Sequence, residues 1–205
     1  CAITTVVAPM GYGKTTAVEW YLAERARAEA PYIVRISVYS GNLAIFWKSV
    51  QDAFARAGFA FLREYDCPTD GASGGLLIDD LCHALTGEKS CYIFIDDFHL
   101  LTDKRAPGFL CALAGRLPPN VHLILASRDL FLPAAELVRL GGKVYQIGTA
   151  QLRLNHTELA VYTNRCGTAL SDEQIDTLLY YSEGWFSAVY LNLRMFSEHG
   201  VLPDP

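Results

Sequence analysis

The sequence predicts an α/β fold with a parallel sheet over residues 1–150, followed by a small all-helical unit over residues 151–205. Three observations carry this. Strand-like and helix-like stretches alternate through the first part, and strands separated by helices join through right-handed crossovers into a parallel sheet. Two of the strand-like stretches, Cys91 to Ile95 and Val121 to Ala126, are continuously apolar, as strands covered by helices on both faces are. Beyond Gln151 no strand pattern appears, only helix signals.

The elements follow in order. Ile3 to Val7 is a β-branched run that ends in a Gly-rich turn. Thr15 to about Glu29 reads as a helix, with Ala17, Val18, Tyr21 and Leu22 on one face. Tyr32 to Tyr39 alternates as a strand, and Ser40-Gly41-Asn42 breaks it. Leu43 to Ala57 places Phe46, Val50, Phe54 and Ala57 at helical spacing, and Gly58 closes it. A loop rich in Gly, Asp and Ser is expected from Asp66 to Gly75, then a short helix from Leu76 to about Leu85. After the Cys91 strand come a helix over Ala106–Leu117, the Val121 strand, a short helix over Ala134–Leu140 and a fifth strand over Lys143–Ile147. In the C-terminal part, Asn155-x-x-Glu158 and Ser171-x-x-Gln174 have the form of capping boxes, each opening a helix. A third helix runs from Trp185 to His199, with Gly200 and Pro203 as stop signals.

The composition narrows the function classes. At 205 residues the chain can bury one substantial core with a small unit appended. A net charge of −5, with no basic cluster, argues against a nucleic-acid surface, which needs gathered Lys and Arg. The apolar runs are strand-length, so no membrane span is expected, and no signal peptide precedes the first strand. The opening at Cys1, without an initiator Met, reads as a piece of a longer protein. The six cysteines form no C-x-x-C pair and read as reduced, buried small hydrophobes of a cytoplasmic protein. The histidines have no zinc spacing, so no structural metal is expected, and His99 and His122 read as satisfied structural residues.

Residues 8–16 read Ala-Pro-Met-Gly-Tyr-Gly-Lys-Thr-Thr, which fits the pattern [AG]-x-x-x-x-G-K-[ST] between a strand and a helix. Gly11 and Gly13 let the backbone curl so that successive N–H groups face an anion. The helix that follows offers its positive end to the same charge. The stretch Pro9, Met10, Gly11, Tyr12, Gly13, Lys14, Thr15 and Thr16 is therefore the candidate nucleotide cradle. Lys14 supplies a catalytic point charge to the β- and γ-phosphates, and the Thr15 hydroxyl ligates Mg²⁺.

Tyr92-Ile-Phe-Ile-Asp96-Asp97 brings two carboxylates to a strand end, where parallel sheets gather their ligands. Asp96 is the candidate metal partner, and Asp97 the candidate for orienting the attacking water. The rival for Asp97 is a structural hydrogen bond to the following turn. Arg128, just past the Val121 strand, is a candidate for contacting a γ-phosphate, or else for tying the strand end to a neighbouring helix.

Four stretches in order, APMGYGKTT, YIFIDDFHLL, LPPNVHLILASR and SEGW, together with LRLNHTELA, resemble the ATPase module of STAND-class, MalT-like large LuxR-type transcriptional regulators. The resemblance covers nearly the whole chain. It implies a P-loop NTPase (ASCE/AAA-like) three-layer sandwich with sheet order 5-1-4-3-2, Arg128 as sensor arginine, and residues from about 150 as a lid over the nucleotide. It implies that Glu183-Gly184-Trp185 lies near the adenine, with Gly184 and Trp185 in the cofactor site; a core aromatic role for Trp185 stays open. The stretch SVYSGNLAIFW departs from the family's usual acidic segment, and Met10 replaces a usual Ala. The function implied is an ATP/ADP and Mg²⁺-dependent, slowly hydrolysing switch. The full-length protein would self-associate when ATP-bound and touch DNA only through a domain outside these residues. A small-molecule kinase, or an interaction module with structurally bound nucleotide, are the alternatives.

Overall fold

The computed structural model describes residues 2–200. The chain divides into two compact units, one formed by Cys1–Val7 with Thr15–Gln146, the other by Ala8–Lys14 with Ile147–Pro205.

The first unit is built on five strands: β1 (Ile3–Val7), β2 (Tyr32–Ser37), β3 (Cys91–Asp96), β4 (Val121–Ser127) and β5 (Val144–Ile147). Their spatial order is β2-β3-β4-β1-β5, which is the expected 5-1-4-3-2 read from the other edge. β1 runs parallel to β4, β4 to β3 and β3 to β2. All six residues of β3 are buried, as a continuous apolar run in a doubly covered strand requires. One face of the sheet, carrying Ile3, Val34, Ile36, Ile93, Ile95, Leu123 and Leu125, packs with apolar side chains of α2 (Leu43–Arg56), α3 (Gly71–Leu85) and α4 (Arg105–Arg116). Each of these large side chains contributes about 1.5–3 kcal/mol by leaving water. α1 (Lys14–Glu29) and α5 (Ala134–Leu140) complete the helices of this part.

Local sequence explains where helices begin. Asn42 caps α2 by accepting from the N–H groups of Ala44 and Ile45. α3 starts five residues before the expected Leu76, because Asp70 accepts from the Ser73 N–H at 2.8 Å while the Ser73 hydroxyl receives the Asp70 N–H at 3.3 Å. That reciprocal cap outweighs three glycines in the first five positions of the helix. β2 ends at Ser37, two residues before the expected Tyr39.

The second unit carries α6 (Thr149–Leu152), α7 (His156–Arg165), α8 (Asp172–Ser182) and α9 (Phe186–His199). The capping boxes Asn155/Glu158 and Ser171/Gln174 both form and open α7 and α8. Its core is Leu159, Ile175, Leu178, Val189 and Leu193. Gly200, at a φ of +71°, closes α9; Pro203, read as a second stop signal, lies outside the described residues. Among the described residues no helix is long and apolar enough to cross a membrane.

Candidate functional site

In the first unit, the hydrophobic burial of β3 draws its last residue, Asp96, to the edge of the core, where it stays only 9 % exposed. A carboxylate there needs partners. Its Oδ2 accepts the Thr15 hydroxyl at 2.8 Å, and its Oδ1 accepts the Asp97 backbone N–H at 2.9 Å. The two bonds fix the plane of the carboxylate, and the first brings together residues 81 apart in the chain. A hydroxyl beside a carboxylate is a hard-oxygen pair of the kind Mg²⁺ accepts while keeping waters and phosphate oxygens in its remaining positions.

Asp97 has left-handed backbone geometry, at a φ of 54°, and opens a 3-10 turn over Phe98–Leu100. Its side chain makes no capping hydrogen bond to that turn. The carboxylate is 48 % exposed, and His99 Nδ1 lies 3.9 Å from it. The reading of His99 as a satisfied structural histidine is corrected here: both ring nitrogens are buried without a hydrogen-bond partner. The short stretch Asp97-Phe98-His99 alternates polar and apolar, and Phe98, the most deeply packed of the three, pulls the turn inward. His122 stacks on Tyr92 at 5.0 Å, and burial holds its imidazole below the usual histidine range. Arg128 is exposed and follows Ser127, which pairs with Val7 in the β1–β4 register. Arg128 thus leaves the sheet beside the point where the chain departs β1.

In the second unit, the loop over 8–14 packs on the start of α9. Gly11 and Gly13 have φ of +84° and +73°, the left-handed region that costs other residues energy. They are also tightly covered. A Cβ at Gly11 would stand 2.6 Å from Ser187 Oγ and 2.9 Å from the Trp185 ring, and one at Gly13 would stand 3.0 Å from Phe186. The Gly11 carbonyl accepts from both the backbone N–H and the hydroxyl of Ser187, each at 3.0 Å. That N–H is one of the first-turn donors of α9 that the helix itself leaves unpaired. Lys14, 8 % exposed, donates its ammonium to the carbonyls of Ala8 at 2.7 Å and Pro9 at 2.9 Å. Pro9 and Met10 are exposed, as is Thr16 just past the loop.

Trp185 is 40 % exposed, its ring 6.3 Å from that of Tyr12. Gly184 accepts from the Leu154 N–H at 3.0 Å, which ties the Glu183-Gly184-Trp185 turn to the start of α7. Two arginines of this unit are engaged locally, Arg153 with Glu183 at 3.6 Å and Arg194 with Glu198 at 3.0 Å. Ser187 and Phe186, which hold the loop, were not singled out from sequence. Their adjacency to Gly184-Trp185 was the available signal, but nothing local links them to Gly11.

No family model matches the chain. It is similar to the HTH-type transcriptional regulator MalT of Vibrio campbellii (strain ATCC BAA-1116), 21 % identical over 89 % of this chain and 20 % of the relative. The same regulator of Yersinia pestis (strain Pestoides F) is 23 % identical over 92 % of this chain and 21 % of the relative. The chain thus spans about a fifth of the length of the curated relatives it matches. Among solved structures, the Walker-type ATPase paby2304 of Pyrococcus abyssi superposes with a TM-score of 0.59 at 12 % identity, over 98 % of this chain and 64 % of that one. Cdc6p from Pyrobaculum aerophilum gives a TM-score of 0.54 at 14 % identity, over 97 % and 56 %. The fold is that of the P-loop ATPases.

Proposed function

We propose that this chain is the nucleotide-binding switch module of a larger, signal-responsive transcriptional regulator, taking ATP or ADP with Mg²⁺. One observation carries the reading: the Thr15 hydroxyl, on the residue after Lys14, is held at 2.8 Å against the buried carboxylate that ends β3. The similarity to MalT regulators and the P-loop ATPase fold support it.

The residues take distinct parts. The backbone N–H groups around Gly11 and Gly13 face the phosphates, and Lys14 exchanges the carbonyls of Ala8 and Pro9 for phosphate oxygens. Thr15 and Asp96 would hold Mg²⁺, which when bound would offset phosphate charge. Asp97, half-exposed and free of a capping bond, orients a water. Arg128 contacts the γ-phosphate and so separates ATP from ADP by a charge-assisted bond. Trp185 and Tyr12, with Gly184, offer an aromatic flank to the base.

A switch requires the two nucleotides to favour two conformations unequally; a tenfold difference is about 1.4 kcal/mol. Hydrolysis would reset it slowly. The ATP-bound full-length protein would self-associate and reach DNA through parts outside this chain, in the bacterial cytoplasm. The test is Lys14→Ala in a calorimetric titration with Mg-ATP and Mg-ADP. Binding should be lost while the far-UV circular dichroism stays that of the parent; unchanged affinity overturns the assignment.

A further inference from the structure

Apart from the nucleotide residues, the first unit contains a cavity of about 440 Å³ on the sheet face covered by α2, α3 and α4. It opens to solvent on one side, as ligand pockets do. Its lining includes Phe46, Trp47, Leu81, Ile95, Phe98 and Phe109, all apolar or aromatic. Of the glycines on its wall, Gly75 is half-buried and a Cβ there would meet nothing within 4 Å, so this position has room for a side chain.

We propose that this cavity is a binding site for a neutral, apolar small molecule. Its volume is about three times that of the ~150 Å³ apolar cavity that takes up benzene. It falls within the ordinary range for ligand pockets. A body of two or three rings, or an acyl chain of similar bulk, fits. Neutrality follows from the polar groups on the wall and rim, which already have partners on the protein. Arg105 pairs with Asp103 at 2.7 Å, Arg116 with Asp79 at 2.7 Å, and the Asp70 carboxylate caps α3. The Trp47 indole N–H donates to the Tyr65 carbonyl at 3.0 Å. No ionic anchor is left over, so recognition rests on dispersion and water release. Ile95 and Phe98 bracket Asp96–Asp97 in the chain, so an occupant touches the neighbours of the acidic strand end.

The probe is N-phenylnaphthylamine, a neutral dye that fluoresces in apolar surroundings, compared with anilinonaphthalene sulfonate, which has nearly the same skeleton with an added anion. The neutral dye should saturate at one site and bind at least tenfold more tightly than the sulfonate. It should also slow alkylation of Cys67, on the cavity wall, while leaving the exposed Cys166 unaffected. Gly75→Leu should remove binding with circular dichroism unchanged; Leu81→Trp, which enlarges a buried wall residue, repeats the test should the first variant not fold. Absence of saturable binding overturns the proposal, as does equal binding by a folded cavity-filled variant. Tighter binding of the sulfonate would overturn the neutral class.

Discussion

Replacing Gly11 by Ala puts the packing of the phosphate loop to a quantitative test. At a φ of +84° an alanine costs about 1–2 kcal/mol relative to glycine. The new methyl would stand 2.6 Å from Ser187 Oγ and 2.9 Å from the Trp185 ring, so the serine hydroxyl must turn away and the ring must shift. Losing one or both of the 3.0 Å bonds to the Gly11 carbonyl costs about 0.5–1.5 kcal/mol each. The sum is about 1.5–5 kcal/mol. The Ser187 amide reports it directly, because its N–H is bonded to that carbonyl. At a factor of ten per 1.4 kcal/mol, its hydrogen exchange should speed up by roughly 10- to 4000-fold. Ser187→Ala, which loses only the hydroxyl bond, should accelerate exchange by roughly fivefold, for about 1 kcal/mol. The double variant should cost less than the sum, since the hydroxyl that the methyl strikes is gone. A folded Gly11→Ala protein whose Ser187 amide exchanges within threefold of the parent would refute the reasoning.

Three further outcomes are expected. Asp96→Asn should leave nucleotide affinity nearly independent of Mg²⁺, measured by titration with and without a chelator, because the charge that pairs with Thr15 in the metal position is gone; a retained Mg²⁺ effect contradicts it. His99→Leu should leave the urea midpoint unchanged or raise stability by up to about 1 kcal/mol, since the ring nitrogens it removes have no partner; a loss above about 2 kcal/mol would mean that they are satisfied. Burial pushes the Cys91 thiol from its ordinary 9.0 up to about 12. Between those values the unfolded chain gives up a proton that the folded chain keeps, so this residue's share of stability is intact below pH 9 and falls by about 1.4 kcal/mol per pH unit above it. Urea midpoints through that range should show the slope, and Cys91→Ala should flatten it; identical slopes would argue against the shift.

Much of the architecture was legible in the sequence because it is written locally. The apolar run Cys91 to Ile95 predicts a central strand since only a doubly covered position can bury every side chain. The boxes at Asn155 and Ser171 predict helix starts since cap and partner lie three residues apart. The phosphate loop is recognisable because its glycines and lysine must be near neighbours to surround one anion. The sheet order came from resemblance, since no single strand encodes which neighbour it takes. Asp70 and the glycines after it gave conflicting local signals, and the cap prevailed.

Tertiary structure alone decided the rest. The Ser187 clasp on Gly11 joins residues 176 apart, and the unpaired nitrogens of His99 follow from how Phe98 seats the turn. The cavity behind Ile95 lies where side chains of α2, α3 and α4 meet one face of the sheet. Backbone propensity and capping act over three or four residues, so a sequence displays them. Which carbonyl meets which hydroxyl across the chain, and where the packing leaves a gap, depends on how all the side chains settle together.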